Sequence, residues 1–422
     1  MYLVYSVILF FLLLIYFPYF LIKNKFIKKH PLNLKERFGK NVPENKKETK
    51  SIWFHAVSVG EVLSIRNLVS RIKGIHSDWK IYLSTLTPTG FEIANKKIKA
   101  DSIFYLPLDF PCIVKKYFQK INPKLFILTE SEFWPNLLRE AKKEGINVLL
   151  VNGRISDCSF KKYYLFRFLF KKIFANISLF LVQSSKDKEK LQKIGVESDK
   201  VIVAGNLKAD ISIKYNPQEI EKLKLKFKLG IDNSKKVIVG GSTLKGEEEK
   251  LLKAFIEIRK EREDLLLILA PRHPERFDEV EKLVKKFPLK YIRKSHFKEK
   301  EKWDIMILDT LGELINFYAI CDLAFVGGSL VPRGGHNILE PAFFKKPIFL
   351  GPYYNNFQDI VEKFLEKKAI RIISNEKDLI EAISKIGSEE YKKMGERAYE
   401  ALCALQGATE IILKYIEKFM KQ

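Results

Sequence analysis

The chain is poor in the residues that would cross-link it or bind a metal. Its four cysteines, Cys112, Cys158, Cys321 and Cys403, stand far apart and form no CxxC pair. That excludes a disulfide framework and a cysteine zinc site, and leaves small core residues in a reducing compartment. The six histidines are dispersed and no DxD pair occurs, so catalysis is expected without a bound metal. The spacing GxxxxGK[ST] is absent, which excludes a P-loop. Acidic residues are in deficit, 51 against 75 basic ones, and the net charge of +24 calls for an anionic partner. A phosphorylated substrate, an acidic membrane surface and nucleic acid all satisfy it. Base-stacking aromatics interleaved with a basic sheet surface are not evident, so no nucleic-acid partner is expected. A hydrophobic share of 46% is enough for the cores of two domains and excludes general disorder.

Charge is missing altogether from Tyr2 to Ile22, and Lys23, Lys25, Lys28 and Lys29 follow at once. As a helix at about 1.5 Å per residue the run spans roughly 30 Å, the thickness of a bilayer core. A signal peptide would carry its positive charge before the apolar run, with a cleavage site of small residues after it. The expectation is therefore an uncleaved membrane anchor over residues 1–30. Positive-inside logic puts its amino terminus outside and the rest of the chain in the cytoplasm. Pro18 keeps a shallow interfacial insertion as the alternative.

From Ser51 onward, β-rich runs alternate with helix-length segments: SIWFHAV, KIYLSTL, SIFYLPL, KLFILTE, NVLLVNG, LFLVQS and KVIVAG. After a charged linker at about Ser212 to Lys235 the alternation restarts with KVIVGGST, LLLILAPR, KWDIMILD, LAFVGGS and KPIFLGP. This pattern predicts an α/β protein with two Rossmann-like, doubly wound domains, residues 31–215 and 216–390. The carboxyl edges of their strands would face a ligand cleft. Residues 391–422 read as a helical segment that packs back on the first domain.

The chemistry-bearing motifs fall at the strand ends. HAVSVGEVLS (His55 to Ser64) puts Glu61 at a helix amino terminus, where a carboxylate is held ionised. It is a candidate general base, or a residue that only complements the helix dipole. TESEFWPN (Thr129 to Asn136) offers Glu130 and Glu132, one for the cleft and one for a structural partner. GNLKAD (Gly205 to Asp210) brings Lys208, a cation within reach of the cleft or an ordinary solvated lysine.

In the second half, GGSTLKGEEE (Gly240 to Glu249) suits a phosphate through its backbone N–H groups, yet its acidic first turn competes with one. APRHPERF (Ala270 to Phe277) presents Arg272 and His273 on a loop fixed by Pro271 and Pro274, and arginine matches phosphate bidentately. DTLGEL (Asp309 to Leu314) is a strand-to-helix turn around Gly312 and Glu313. FVGGSLVPRGGHNILEPAFF (Phe325 to Phe344) ends a strand and opens a helix near Asn337, with Pro341 tolerated in the first turn. Its N–H groups from Gly334 to Asn337 are expected to be free for an anion. Asn337 and Glu340 share a helix face, one to hold a phosphate and the other to accept from two ribose hydroxyls.

In this order, HAVSVGE, TESEFWPN, GNLKAD, APRHPERF, DTLGEL and GGHNILEP cover nearly the whole chain and resemble the 3-deoxy-D-manno-octulosonic acid (Kdo) transferases of lipid A biosynthesis. The resemblance implies a GT-B glycosyltransferase fold and inverting transfer of Kdo from CMP-Kdo to the glucosamine disaccharide of a lipid A precursor, lipid IVA. It implies Glu61 as general base, with Glu130 and Lys208 stabilising the transition state. It implies a CMP site from Pro271 and Arg272, from Leu311, Gly312 and Glu313, and from Asn337, Ile338, Leu339 and Glu340. The turn Gly334, Gly335 and His336 adds its backbone to that site. No cofactor is implied, and the setting is the cytoplasmic side of an anionic inner membrane. One departure is visible: the family commonly has an aromatic residue after the motif lysine, where Ala209 stands here.

The segment FKKYYLFRFLFKKIF (Phe160 to Phe174) reads on a helical wheel as one apolar face of Tyr163, Phe166, Phe170, Ile173 and Phe174. Tyr164, Leu165, Phe168 and Leu169 are left over among lysines and an arginine, which suits a membrane surface or acceptor capture. Two other readings compete. One is a membrane-associated GT-B enzyme using a UDP-sugar. The other is a membrane-anchored nucleotide or nucleic-acid binding protein.

Overall fold

The computed structural model describes residues 1–26, 34–46, 49–210, 222, 225–226, 228–232, 234–299 and 301–421, with only the backbone for 16–26. The chain folds into two compact units. The first holds Met1–Ser212 together with Leu405–Gln422, and the second holds Ile213–Ala404. Most of the linker expected at Ser212 to Lys235 lies outside the described residues.

The first unit is built on a parallel sheet of β1 (Ser51–His55), β2 (Lys80–Thr85), β3 (Ser102–Tyr105), β4 (Leu125–Thr129), β5 (Asn147–Gly153), β6 (Leu179–Val182) and β7 (Val201–Val203), in the order β3-β2-β1-β4-β5-β6-β7. Its strands are apolar at nearly every position because helices cover both faces. Successive residues feed opposite cores. Ile52 and Phe54 join Leu68, Ile72 and Ile127 on one face. Trp53 joins Phe104, Phe118 and Phe126 on the other.

The second unit repeats the plan with β8 (Lys236–Thr243), β9 (Leu265–Pro271), β10 (Tyr291–Arg293), β11 (Ile305–Ile307), β12 (Leu323–Val326), β13 (Ile348–Leu350) and β14 (Ile370–Ile372), in the order β10-β11-β9-β8-β12-β13-β14. Of the fourteen strands among the described residues, twelve lie on runs read from the sequence. The other two, β10 and β14, are three-residue edge strands that carry arginines, Arg293 and Arg371. Sheet edges are kept short and charged to discourage pairing with other chains, and this erases their apolar signature.

The carboxyl-terminal helical region is divided. The helix Glu389–Leu405 packs in the second unit through Tyr391 and Met394. The helix Ala408–Met420 returns to the first, where Ile412, Leu413 and Ile416 enter the core of Ile52 and Leu68. Gly407 makes the break at φ +107°, a left-handed conformation that glycine adopts without strain. Asp210 fixes the start of the returning helix, its carboxylate accepting from the N–H of Gly407 at 2.7 Å and from that of Thr409.

The segment read as one amphipathic helix from Phe160 to Phe174 is two, Asp157–Leu165 and Arg167–Phe174, joined at Phe166. Tyr163, Phe170, Ile173 and Phe174 face the core as the wheel has them. Phe166 does not, because the break turns it out; it is 46% exposed, alongside Tyr164, Leu165 and Phe168.

The helix Glu389–Leu405 also bears on the loop after the Glu340 helix. A Cβ on Gly395 would sit 1.9 Å from the carbonyl oxygen of Lys345. Gly395→Ala should therefore cost the second unit about 1–3 kcal/mol, through overpacking. Urea titration followed by tryptophan fluorescence checks this; an unchanged midpoint would mean that the helix can withdraw freely.

Candidate functional site

In the first sheet the strand order changes direction between β1 and β4, the kind of switch point where open parallel sheets bind ligands. Glu61 follows β1 and Glu130 follows β4, so the topology puts both on this edge. Ser58 caps the short helix Val59–Ser64, its hydroxyl accepting from the Glu61 N–H at 3.4 Å. The Glu61 carboxylate turns back to accept from the Val57 N–H at 2.9 Å and the Ser58 hydroxyl at 3.0 Å. Glu61 is only 7% exposed. Burial, with the charges of Glu130 and Glu132 adding to it, pushes the Glu61 carboxyl up to about 7 against those two hydrogen bonds. The expectation that the helix amino terminus holds Glu61 ionised is thus corrected: lost solvation outweighs the dipole of a six-residue helix.

Glu130 stands just past β4 in the left-handed region, φ +60°, with its N–H on the Val151 carbonyl at 3.0 Å. Its carboxylate pairs with the Lys208 ammonium at 3.0 Å. Glu132 accepts from the Trp134 indole N–H at 3.1 Å, and burial raises its carboxyl, with the Glu130 charge adding. The expected division between the two carboxylates thus takes the form of an ion pair for Glu130 and an indole partner for Glu132. Ala209, at the position of the departure from the family pattern, is fully buried.

Three residues that sequence reasoning passed over hold this cluster in place. Asn152, at φ +55° in β5, accepts the Leu207 N–H at 3.0 Å and reaches Glu130 at 3.5 Å. Gln183 donates to the Asn152 carbonyl at 3.0 Å and accepts from Asn206 at 2.9 Å. Asn206 in turn accepts the Lys208 N–H at 2.9 Å. Each is a polar residue ending or just following an apolar strand, a signal present in NVLLVNG and LFLVQS but carrying no charge to draw notice.

The second unit collects another group at the matching edge of its own sheet, where order reverses between β8 and β12. Pro271 is the buried last residue of β9, and Arg272 beyond it is exposed, its N–H held by the Thr243 carbonyl at 3.0 Å. The Asn337 side chain accepts from the Leu339 N–H at 3.1 Å and donates to Glu340 at 3.3 Å. Burial raises the Glu340 carboxyl, opposed by the Asn337 hydrogen bond and the Arg272 charge. Burial also drives the His336 imidazole down to about 4, helped by the charges of Arg272 and His273. Arg272, His273, His336, Asn337 and Glu340 therefore share one electrostatic neighbourhood. Ile338 and Leu339 are fully buried, which leaves only their backbone for a ligand.

Leu311 is 76% exposed at the tip of the loop after β11, Gly312 stands at φ +86°, and Glu313 accepts from the Thr310 hydroxyl. Among the described contacts no side-chain bond joins this loop to Arg272 or Glu340. Its link is the helix Leu314–Ile320, whose buried Tyr318 feels the Glu340 charge.

The glycine-rich stretch is partly spoken for by the protein itself. Glu247, fully buried, accepts four N–H groups: Leu244 at 2.8 Å, Gly328 at 2.7 Å, Ser329 at 2.9 Å and Leu330 at 2.8 Å. An internal carboxylate thus fills the nest that the first glycine pair makes. Of the N–H groups expected free from Gly334 to Asn337, that of Gly335 is taken by the Gly328 carbonyl at 2.8 Å. Helix does not begin near Asn337 but at Leu339, and lasts five residues. What this neighbourhood offers an anion is the Arg272 guanidinium and the remaining turn N–H groups, beside a carboxyl suited to a diol.

The raised Glu61 carboxyl ties stability to pH. Its folded value of about 7 lies above the ordinary 4.5, so between those values the folded chain keeps a proton that the unfolded chain releases. Stability from this group is present below that window and lost as pH climbs through it. Glu61→Gln removes the loss, and should make the protein more stable than the wild type at pH 8, by up to about 3 kcal/mol, with little difference at pH 4.5. Urea titrations at both values check the sign.

Residues 32–211 match the family model for 3-deoxy-D-manno-octulosonic-acid transferase (kdotransferase). A 3-deoxy-D-manno-octulosonic acid transferase of Haemophilus influenzae is 32% identical over 399 residues, covering 92% of each chain. A bifunctional glycosyltransferase/methyltransferase of Fusobacterium nucleatum is 38% identical over 350 residues, 81% of this chain, and the match spans 53% of that longer protein. UDP-GlcNAc 2-epimerase from Neisseria meningitidis, solved with UDP-GlcNAc, shares the fold at a TM-score of 0.61 and 13% identity, over 87% of this chain and all of that one. Two consecutive doubly wound units with such neighbours are the GT-B fold. The chain belongs to the 3-deoxy-D-manno-octulosonic acid transferase family.

Proposed function

We propose that the protein transfers Kdo from CMP-Kdo to the glucosamine disaccharide of a lipid A precursor, with inversion at the anomeric carbon and Glu61 as general base. The observation that carries this reading is the buried Glu61 carboxyl, poised at about 7 near a Glu130–Lys208 ion pair. A sugar hydroxyl is a poor nucleophile and must lose its proton as it attacks, and a base with a value near the working pH does this best. The oxygen–carbon bond to Kdo forms, the bond from carbon to the CMP phosphate breaks, and the electron pair leaves with CMP. Lys208 and Glu130 are assigned to the charge that develops at the reacting sugar. Arg272 and the Gly334–Asn337 turn hold the departing phosphate, and Glu340, oriented by Asn337, accepts from the ribose hydroxyls. An activated nucleotide ester leaves no step that needs a metal.

The acceptor is a glycolipid, which agrees with the exposed apolar group at Tyr164, Leu165, Phe166 and Phe168 set among exposed Lys161, Lys162, Arg167, Lys171 and Lys172. Tyr163 of the same helix pair lies near Glu132, whose charge it feels, and so connects that apolar group to the carboxylate cluster. The location proposed is the cytoplasmic face of an anionic inner membrane. A UDP-sugar donor is the second reading, favoured only by fold neighbours such as the epimerase bound to UDP-GlcNAc.

Incubation with CMP-Kdo and a tetraacylated lipid A precursor, followed by mass spectrometry, should show the mass of Kdo added; transfer only from UDP-sugars would reject the donor. Glu61→Gln is expected to bind CMP as the wild type does and to lose transfer about 10²–10⁴-fold; near-native turnover would remove Glu61 from the mechanism. Replacing Phe168 and Leu169 with serine should impair transfer to acceptor in vesicles while CMP binding stays intact, and unchanged vesicle activity would count against the acceptor path.

A further inference from the structure

The amino-terminal helix Tyr2–Phe26 is tied to the first unit by the very end that a spanning topology would place across the bilayer. The Tyr2 hydroxyl accepts from the Asn176 amide at 2.9 Å and donates to the Lys172 carbonyl at 3.4 Å, and the Arg139 guanidinium lies 4.7 Å from its ring centroid. The Tyr5 hydroxyl bonds to Asp109, a 4% exposed carboxylate that also accepts the N–H groups of Asn136 at 3.1 Å and Leu137 at 2.7 Å. The Ser6 hydroxyl accepts from the fully buried Asn136 amide at 3.0 Å. Tyr2, Tyr5, Ser6, Leu9 and Leu13 form one half-buried stripe at helical spacing. The remaining large side chains of the first fifteen residues are turned out. Leu3, Val4, Val7, Ile8, Phe10, Phe11, Leu12, Leu14 and Ile15 are 46–77% exposed. Among the described residues no helix is long and apolar enough to cross a membrane.

We propose that this helix is a one-leaflet anchor: its docked stripe stays on the catalytic unit, its exposed sides enter the acyl region of an anionic bilayer, and its first turn remains on the catalytic side. A helix turn hydrogen-bonded to Asp109, Asn136 and Asn176 cannot also lie beyond the membrane. The outward sides are too apolar and too continuous for water. Charge selects the occupant. Lys172, whose carbonyl meets Tyr2, belongs with Lys171 and Arg167 to the basic rim of the exposed aromatic group at Tyr164–Phe168, so both apolar surfaces meet one lipid face with cations beside it. On this proposal the first turn lies on the opposite side from the one expected from the lysine distribution. Positive-inside logic orients a helix that spans, and has nothing to say about one that lies down.

The test uses the full chain with a short protease-cleavable tag ahead of Met1. The tag should survive protease added to intact spheroplasts and be cut in inverted membrane vesicles; cutting on intact spheroplasts would overturn the proposal. With p-benzoylphenylalanine in place of Tyr2, irradiation of the membrane-bound protein should cross-link to the peptide holding Lys172 and Asn176, and cross-linking to lipid alone would overturn the docking. The triple variant Leu3→Ser, Ile8→Ser, Phe11→Ser should lose at least about tenfold in binding to phosphatidylglycerol-containing vesicles, and unchanged binding would reject the lipid face. None of these measurements depends on transfer, so their failure leaves the proposed reaction standing.

Discussion

Three carboxylates brought close together, with one lysine among them, set the character of the first unit. Burial raises the Glu61 and Glu132 carboxyls, and the Glu130 charge adds to both. Lys208 pairs with Glu130 at 3.0 Å, Trp134 donates to Glu132, and Glu61 is left with two hydrogen bonds and a value near 7. The division of labour follows from who has the cation. Glu130 has it, whereas Glu61 has a backbone N–H and a hydroxyl instead. Asn152, Gln183 and Asn206 matter because this balance is sensitive to distance: a shift that loosened the Glu130–Lys208 pair would return charge repulsion to Glu61.

The second unit shows the opposite case, a buried carboxylate satisfied by backbone N–H groups. Its glycine-rich stretch makes a nest of N–H groups, and the protein closes it with its own Glu247. That carboxylate stitches the turn after β8 to the turn after β12, the two strands flanking the switch point. A Cβ on Gly328 would lie 2.8 Å from the His336 ring, so the absence of a side chain there leaves room for the imidazole.

Much of this was legible in order but not in contact. The alternation of apolar runs predicts two doubly wound units, and the strands it misses are the two edge strands of the second sheet, where short length and arginine hide the pattern. Glu61, Glu130, Lys208, Arg272, Asn337 and Glu340 stand out because charged and amide groups at the ends of apolar strands are costly unless used. Asn152 and Gln183 were invisible for the converse reason: one uncharged amide after a strand is ordinary. The wheel drawn through Phe160–Phe174 fails only at Phe166, since periodicity assumes one unbroken helix.

The sequence by itself determined the sheet pattern, the excess of positive charge and the list of residues capable of acid, base and phosphate chemistry, because these follow from composition and local spacing. Tertiary structure alone decided how those groups are charged and which are spent internally. Solvation and Coulomb energy depend on distances between residues far apart in the chain. For that reason a glutamate at a helix start has its carboxyl raised by burial, a glycine nest is filled by Glu247, and the apolar amino-terminal helix is found docked on the first unit by Tyr2, Tyr5 and Ser6.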